Sequence, residues 1–481
     1  MTQAPGSASG GGEPDRRRRL VILAICCMSL LIVGLDNTIV NVALPSIGRD
    51  LHAKVSGLQW IVAAYTLVLA SLLMLSGSMA DRIGRRRVFA VGLCLFTAGS
   101  LLCSLASSLA GLVVFRMIQA LGGSMLNPVA MSIIRNVFTD SRERAQAIGF
   151  WGATVGISLA LGPVVGGALV QSVGWPAIFL INIPVGLTAL FLTLRFVPES
   201  KADRPRRVDP IGQILVIVLL GALTYAIIDG PTAGWLSTQE VALFVGAAAC
   251  LAGLLAYEAR RDQPLLEVAF FRSTPFSGAV VIAIAAFAAL GGFLFLNTLY
   301  LQEVREFSAL KAGLYTLPIA AMTLVFAPLS GRLVGNRGPR PALLVGGAGI
   351  GLGALILTEL TPTTSTATLL VAYAIFGVGF GMVNPPITNT AVAGMPPAQA
   401  GVASAIASTS RQLGQTLGVA IVGALAASSL NASHAGRPAA LPSDVGWWLI
   451  TACGVLVVAI GLLSTTGRAN ASAAAVATAT A

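Results

Sequence analysis

Lysine is almost missing from this chain: of its 30 basic residues only Lys54, Lys201 and Lys311 are lysines, and none is preceded by glycine. An ATP-driven pump needs a phosphate-cradling GxxxxGK[ST] loop, so that class is excluded. Histidine is as scarce. His52 and His434 lie far apart in short polar breaks, which leaves no imidazole cluster for haem or zinc. The six cysteines, Cys26, Cys27, Cys94, Cys103, Cys250 and Cys453, fall in apolar runs without CxxC spacing and read as small core residues rather than redox or metal ligands. Charge of either sign is sparse too, at 10% of 481 residues, where a soluble domain carries about 25%. What fills the chain instead is apolar: 56% of residues are hydrophobic, and the mean hydropathy is +0.84. A water-soluble fold is excluded, and spans of about 20 residues fit the chain many times over.

Apolar stretches bounded by charge, Gly or Pro give fourteen spans, at 20–47, 57–79, 88–107, 110–134, 146–170, 174–194, 210–229, 240–257, 275–300, 312–334, 341–360, 367–390, 401–429 and 446–466. The first follows Arg16 to Arg19 as a signal peptide would, but it is too long and has no small-residue cleavage site, so it reads as a retained helix. With a cytoplasmic amino terminus, the inside segments hold Arg16–Arg19, Arg82 with Arg85–Arg87, Arg135, Arg142, Arg144, Arg195, Lys201, Arg204, Arg206, Arg207, Arg260, Arg261, Arg272, Arg332, Arg337, Arg340 and Arg468, or 23 basic residues. The outside loops hold 5: Arg49, Lys54, Arg305, Lys311 and Arg437. That bias is topogenic, so the net charge of +11 requires no nucleic-acid partner. Both termini are expected to be cytoplasmic and the plasma membrane is the expected location. The Ala/Thr/Ser tail is expected to be disordered.

An internal repeat appears at an offset of 254 residues. Ser76-Gly77 matches Ser330-Gly331, Gly84 matches Gly338, Arg86 matches Arg340, and Val91-Gly92 matches Val345-Gly346. The implied plan is a cytoplasmic segment 1–19, a six-helix bundle over 20–200, two additional helices within 201–272, a related six-helix bundle over 273–466 and a tail over 467–481. Duplicated halves with a site between them are how many secondary transporters are built.

Charges at membrane depth cost about 2.5–3.5 kcal/mol on insertion scales and mark function by default. Three qualify: Asp36, Arg116 and Arg411. At 1.5 Å per residue, Asp36 lies about 24 Å from the inner start of the first span, and Arg116 about 10 Å from the outer start of the fourth. Both fall in the outer half of a core about 30 Å thick, so an ion pair is possible. Asp36 is the one carboxylate far from a span end, since Asp229, Glu240, Glu258 and Glu359 lie near interfaces. Burial disfavours its charged form while a guanidinium favours it, and opposing terms that depend on conformation suit a proton carrier; a permanent strut between two helices is the structural alternative. Asn37 and Asn41 widen the polar sector beside Asp36, and Gln119 lies one turn from Arg116. Arg411, with Gln412 beside it, has no deep acid in its own half. Gly156, Gly162-Pro163 and Gly166-Gly167 in the fifth span point to a hinge or a tight seam between halves.

Leu35-Asp36-Asn37-Thr38-Ile39-Val40-Asn41-Val42-Ala43-Leu44-Pro45 resembles the first-helix signature of the fourteen-helix drug:proton antiporters of the major facilitator superfamily. Gly77-Ser78-Met79-Ala80-Asp81-Arg82-Ile83-Gly84-Arg85-Arg86 is similar to that superfamily's loop motif between helices two and three, Arg116-Met117-Ile118-Gln119 to its helix-four proton-coupling motif, and Gly162-Pro163-Val164-Val165-Gly166-Gly167 to its antiporter motif. Phe179-Leu180-Ile181-Asn182-Ile183-Pro184-Val185-Gly186 and Arg411-Gln412-Leu413-Gly414 match further places where the subfamily is recognisable. Ala120 replaces the usual Gly after the helix-four Gln, and Gly335 stands in the second loop copy where Asp81 stands in the first, so the latch role attaches only to Asp81.

The resemblance implies an all-α integral membrane protein of the major facilitator fold with 14 transmembrane helices. It implies a monomeric, non-enzymatic efflux transporter that exchanges drug-like small molecules for protons by alternating access and needs no cofactor beyond the proton gradient. Asp36 and Arg116 would couple protons. Asn37, Asn41, Gln119, Asn127, Arg411 and Gln412 are cavity candidates, and Asp81, Arg82, Gly84, Arg85, Arg86, Gly162, Pro163, Gly166 and Gly167 are gating candidates. A single deep acid and an aliphatic interior suggest lipophilic neutral or monocationic substrates, and export or symport of a native metabolite is the alternative. A membrane oxidoreductase is disfavoured: Gly349-Ile350-Gly351-Leu352-Gly353-Ala354 fits GxGxxA, but it lies in an apolar span with no acid about 20 residues on. A receptor would need a soluble output domain, for which the short loops leave no room.

The charge bias makes one prediction. Single cysteines placed at Lys201 and Arg260 should resist an impermeant maleimide in intact cells and react after permeabilisation; labelling of both from outside would overturn the fourteen-span arrangement.

Overall fold

The computed structural model describes residues 15–202, 208–261, 264, 266–393, 400–434 and 444–480. Residues 1–14 of the expected N-terminal segment, the loop arginines Arg204, Arg206 and Arg207, and Arg437 lie outside them. The N-terminal bundle comprises α1 (Arg16–Asp50), α2 (Val55–Ile83), α3 (Arg85–Ser104), α4 (Leu109–Val137), α5 (Ser141–Ser172) and α6 (Ala177–Phe196). Two further helices follow, α7 (Pro210–Ala233) and α8 (Thr238–Glu258). The second bundle comprises α9 (Thr274–Val304, whose last turn, Tyr300–Val304, is π-helical), α10 (Ala309–Arg337), α11 (Pro339–Glu359), α12 (Thr366–Val392), α13 (Ala400–His434) and α14 (Asp444–Ser464). Among the described residues thirteen of these are long and apolar enough to cross a membrane, and the 35-residue α13 is the fourteenth long helix.

Two boundaries differ from expectation. Arg16–Arg19 form the first turn of α1 rather than a separate segment. The tail expected to be disordered is helix α15 (Gly467–Thr480), which docks on the start of α9: Ser472 Oγ accepts from the Thr274 N–H at 2.9 Å, and Ala473 and Val476 are buried. Alanine has the strongest helix propensity, and a helix start leaves N–H groups that a neighbouring hydroxyl can satisfy.

Lipid tails are as apolar as the side chains, so these helices associate by close packing, and small residues set where. In the N-terminal bundle a Cβ on Gly99 would lie 2.6 Å from the Gln119 backbone, which welds α3 to α4, and one on Gly186 would strike Thr97, which welds α6 to α3. In the second bundle Gly414 and Gly418 meet the α9 backbone at Ile284 and Ala288. The Gly349-x-Gly351-x-Gly353 run is packing glycine: Gly349 faces Gly379, Gly351 faces Gly454 and Gly353 faces Phe376. The 254-residue repeat is structural as well. Gly84 and Gly338 both take positive φ, +129° and +76°, at the turns after α2 and α10, and Gly92 of α3 and Gly346 of α11 both pack against the next helix, α4 and α12. Helix α7 lies along the α2–α13 seam, with Leu220 packed on Leu67, Ala70 and Leu413, and with Gln213 Nε2 donating to the Ser71 carbonyl at 2.6 Å; α8 packs on α7.

The two bundles meet at the end opposite the basic loops. There Gln302 Nε2 donates to the Val42 carbonyl at 2.8 Å, Gln59 Nε2 to the Ala420 carbonyl at 2.7 Å, and Arg49 pairs with Glu303 at 3.3 Å. Nearer the middle, Thr416 Oγ1 donates to Thr66 Oγ1 at 2.7 Å. One face of α5 shows the geometry turn by turn. Gly167 touches Ala309 and Leu310, Pro163 presents its carbonyl to Gly313, and Gly156 meets Leu324, all on α10. Two more turns towards the basic end, a Cβ on Gly152 or Gly149 would meet nothing within 4 Å among the described residues, and neither would one on Gly331 or Gly335 on the continuing face of α10. Spacings of three, four, seven and eleven keep these residues on one helical face, so α5 and α10 splay from the far end like the arms of a V. The structure is closed at the far end and open at the basic end.

A side chain at Gly313 would strike the Pro163 carbonyl. In Gly313→Val the far end should be held apart, so that a cysteine at the buried Gln302 reacts with maleimide in detergent about tenfold faster, as expected for a shift of about 1.4 kcal/mol in the closed–open balance. Unchanged reactivity would mean that the α5–α10 contact does not close that end.

Candidate functional site

Helix α1 can carry one carboxylate at depth because four other helices surround it and its counter-ion with polar and aromatic groups. Asp36 is 0% exposed and Arg116, on α4, is 1% exposed, and the two form a direct ion pair through Asp36 Oδ2 and Arg116 Nη1. Gln119, one turn along α4, closes a ring: its Oε1 accepts from Arg116 Nη1 at 2.7 Å, while its Nε2 donates to Asp36 Oδ1 at 2.8 Å and to Ser100 Oγ on α3 at 2.8 Å. Asn182, at the start of the longer segment of α6, gives Nδ2 to Asp36 Oδ1 at 3.3 Å and to Ser100 Oγ at 3.4 Å. From α2, the Ile61 carbonyl accepts from Arg116 Nε at 3.3 Å, and the Tyr65 ring lies under the guanidinium at 4.0 Å.

Low dielectric strengthens the bonds such a network makes and penalises those left unmade; Asp36, Arg116 and Gln119 are partnered, while Tyr65 OH and Asn182 Oδ1 are buried with no partner among the described residues. Protonating Asp36 would remove the charge opposite Arg116 but leave the guanidinium its Ile61, Gln119 and Tyr65 contacts. The site can therefore hold two charge states without losing all its bonds.

Of the residues expected from sequence, Asp36, Arg116 and Gln119 are brought together. Asn37 and Asn41 are not part of the ring: Asn41 Nδ2 donates to the Asn37 carbonyl at 3.0 Å, and its buried Oδ1 has no partner among the described residues. Asn127, on α4, is half-buried with Oδ1 likewise unpartnered. Arg411 lies elsewhere, reaching from α13 to the Thr388 hydroxyl on α12 over Phe287 of α9, with Gln412 half-buried beside it. Ser100, Tyr65 and the coordinating role of Asn182 were not expected. Asn182 stood in a quoted motif, but an uncharged amide in an apolar span gives a weak signal beside an aspartate. The second bundle's counterpart cluster is uncharged at its core: Tyr373 OH donates to Asn297 Oδ1 in the α9–α12 contact.

The gating residues divide between two places. Asp81 pairs with Arg85 at 2.9 Å, and both belong to the first bundle. The loop is held by Glu199, after α6, whose carboxylate accepts from the Arg86 N–H at 3.1 Å and lies 3.6 Å from Arg87 Nε. Gly84 is required there by its positive φ and because a Cβ would meet Glu199 at 2.6 Å. Arg82 is exposed. The glycine motif was expected to form a hinge or a tight seam between halves; Pro163 and Gly167 do face the other bundle, whereas Gly162 and Gly166 seat Thr38 and Ile39 of α1 within the same bundle. Two faces of one helix serve two seams.

The profile of the Major Facilitator Superfamily matches residues 26–419. The chain is 39% identical over 406 residues to the multidrug resistance protein Stp of Mycobacterium tuberculosis, covering 84% of this chain and 75% of that one. It is 36% identical over 403 residues to the tetracenomycin C resistance and export protein of Streptomyces glaucescens, covering 83% and 74%. Its fold superposes with a TM-score of 0.67 on a POT family transporter crystallised with 5-aminolevulinic acid, at 14% identity over 93% of this chain and 95% of that one.

The ring predicts an asymmetric mutational cost. Arg116→Gln leaves Asp36 buried without its counter-charge and should destabilise the protein by about 3–5 kcal/mol, read as a lower unfolding temperature in detergent. The double variant with Asp36→Asn should recover most of that loss. A double variant no more stable than Arg116→Gln would deny the pair its energetic role.

Proposed function

The chain belongs to the major facilitator superfamily, and from that premise we propose that it exports drug-like compounds across the cytoplasmic membrane in exchange for protons, by alternating access of one site to the two sides. The observation that carries the reading is the fully buried Asp36–Arg116 pair, a titratable group in a polar cage at membrane depth. The multidrug resistance named for one relative and the tetracenomycin C resistance and export named for the other support the substrate class. The basic end is read as cytoplasmic, with both termini there, so the V opens inward, and the working unit is read as a monomer without a cofactor.

Helix α1 links the proton to the gate. Six residues beyond Asp36, about 9 Å along the axis, Val42 receives the Gln302 bond that closes the far end. Between them Thr38 and Ile39 sit in the α5 glycines. When a proton neutralises Asp36, the tie between α1 and α4 weakens, and α1 is free to move with α5 against the second bundle. Loss of the proton on the cytoplasmic side restores the pair. With one deep carboxylate, one proton enters per cycle. For an uncharged compound the drive is then about 1.4 kcal/mol per pH unit plus about 2.3 kcal/mol per 100 mV.

In inverted vesicles energised by a pH gradient, Asp36→Asn, which keeps volume but releases no proton, should abolish uphill accumulation of an exported compound while the protein remains inserted at wild-type level. Uphill transport by Asp36→Asn at the wild-type rate would sink the proton-coupling assignment.

A further inference from the structure

Three charges lie deep in the bundles, and their balance is uneven. Asp36 and Arg116 cancel, whereas Arg411 has no carboxylate paired with it among the described residues. Its hydrogen bonding is also incomplete. One nitrogen donates to the Thr388 hydroxyl, but among the described residues the buried Nε has no acceptor and the buried Oε1 of the neighbouring Gln412 has no donor. A buried orphan donor on a permanently charged group calls for an explanation.

Position narrows the choice. Arg411 is half-buried and lies five residues, about 7.5 Å along α13, on the basic side of the Thr416–Thr66 bond that joins the bundles. It therefore sits at the roof of the opening rather than in the sealed region. Its guanidinium is 5.9 Å from the Phe287 ring, which meets Phe380 edge-on at 5.2 Å. A fixed, half-exposed cation without a paired carboxylate among the described residues, set beside two aromatic rings, matches a flat, apolar molecule with a carboxylate at one end: the guanidinium takes the carboxylate through charge-assisted bonds, and the rings take the body.

We propose that Arg411 is the anion-binding residue of the transport site and that the exported compounds are lipophilic organic anions of the aromatic carboxylate type. This rests on the export reading and reverses the neutral or monocationic preference expected from sequence, because with the Asp36–Arg116 pair closed the deep residues carry one net positive charge. A cation entering from the basic end meets Arg411 unshielded, whereas an anion supplies the missing counter-charge.

The test compares 9-anthracenecarboxylate with its uncharged isostere 9-anthracenecarboxamide as probes for pH-gradient-driven uptake into inverted vesicles. The wild-type protein should favour the carboxylate. Arg411→Gln should lower the carboxylate-to-carboxamide rate ratio at least about tenfold, the change expected from losing a hydrogen bond to a charged group, and Arg411→Lys should keep part of the preference. Preference for the carboxamide in the wild type, or an equal loss of both probes in Arg411→Gln, would overturn the proposal and leave Arg411 as a strut to Thr388 with the export reading intact. If neither probe accumulates, the export reading fails for this chemistry, and fluorescence titration of the purified proteins with 9-anthracenecarboxylate still decides the anion site: at least about tenfold weaker binding by Arg411→Gln supports it, and equal binding refutes it.

Discussion

One buried ion pair organises the first bundle. Asp36 and Arg116 offset each other's charge at this depth, and the pair draws polar groups from the helices around it: Gln119 from α4, Ser100 from α3, Asn182 from α6, Ile61 and Tyr65 from α2. The pair contributes less to net stability than its Coulomb attraction suggests, because desolvation opposes it. Its consequence is geometric. Five helices must arrive at one point, and any change in the charge of Asp36 is felt by all of them.

Outside that point the helices have little but close contact to hold them, since hydrocarbon offers no hydrophobic drive for helix to join helix. Glycine therefore carries much of the specificity, and α5 shows how. Gly162 and Gly166 bind it to α1, while Gly156, Pro163 and Gly167 meet α10 across the molecule. The first seam keeps α5 with its own bundle. The second is confined to one end, so the two bundles can part at the other without breaking either core.

The asymmetry between the bundles follows the same physics. Where the first bundle has a charged cage, the second has the neutral Asn297–Tyr373 contact and places its one deep charge, Arg411, near the opening. On the reading proposed above, the enclosed pair answers to a proton and the half-exposed arginine to an anion.

Asp36, Arg116 and Arg411 were legible in the sequence because charge in hydrocarbon is so costly that few instances survive, and the arginine-rich loops were legible because orientation depends on where basic residues are counted. The repeat was legible because turns after α2 and α10 both need a glycine at positive φ. Ser100 and Asn182 were not, since an uncharged polar side chain is tolerated in many helices and becomes part of a site only if an acceptor faces it. Glu199 was missed for a related reason: a loop carboxylate has no meaning until the fold brings Gly84 and Arg86 against it. The Ala-rich tail looked too uniform to pack, yet helix propensity and one free N–H at Thr274 gave it a place. The sequence by itself determined where the fourteen long apolar helices fall and which charges lie deep, because those depend on the transfer of each segment between water and lipid. Only the tertiary structure decided which glycine faces which helix, which end is closed and which arginine lacks a counter-charge, because those depend on the fit of surfaces that are up to several hundred residues apart in the chain.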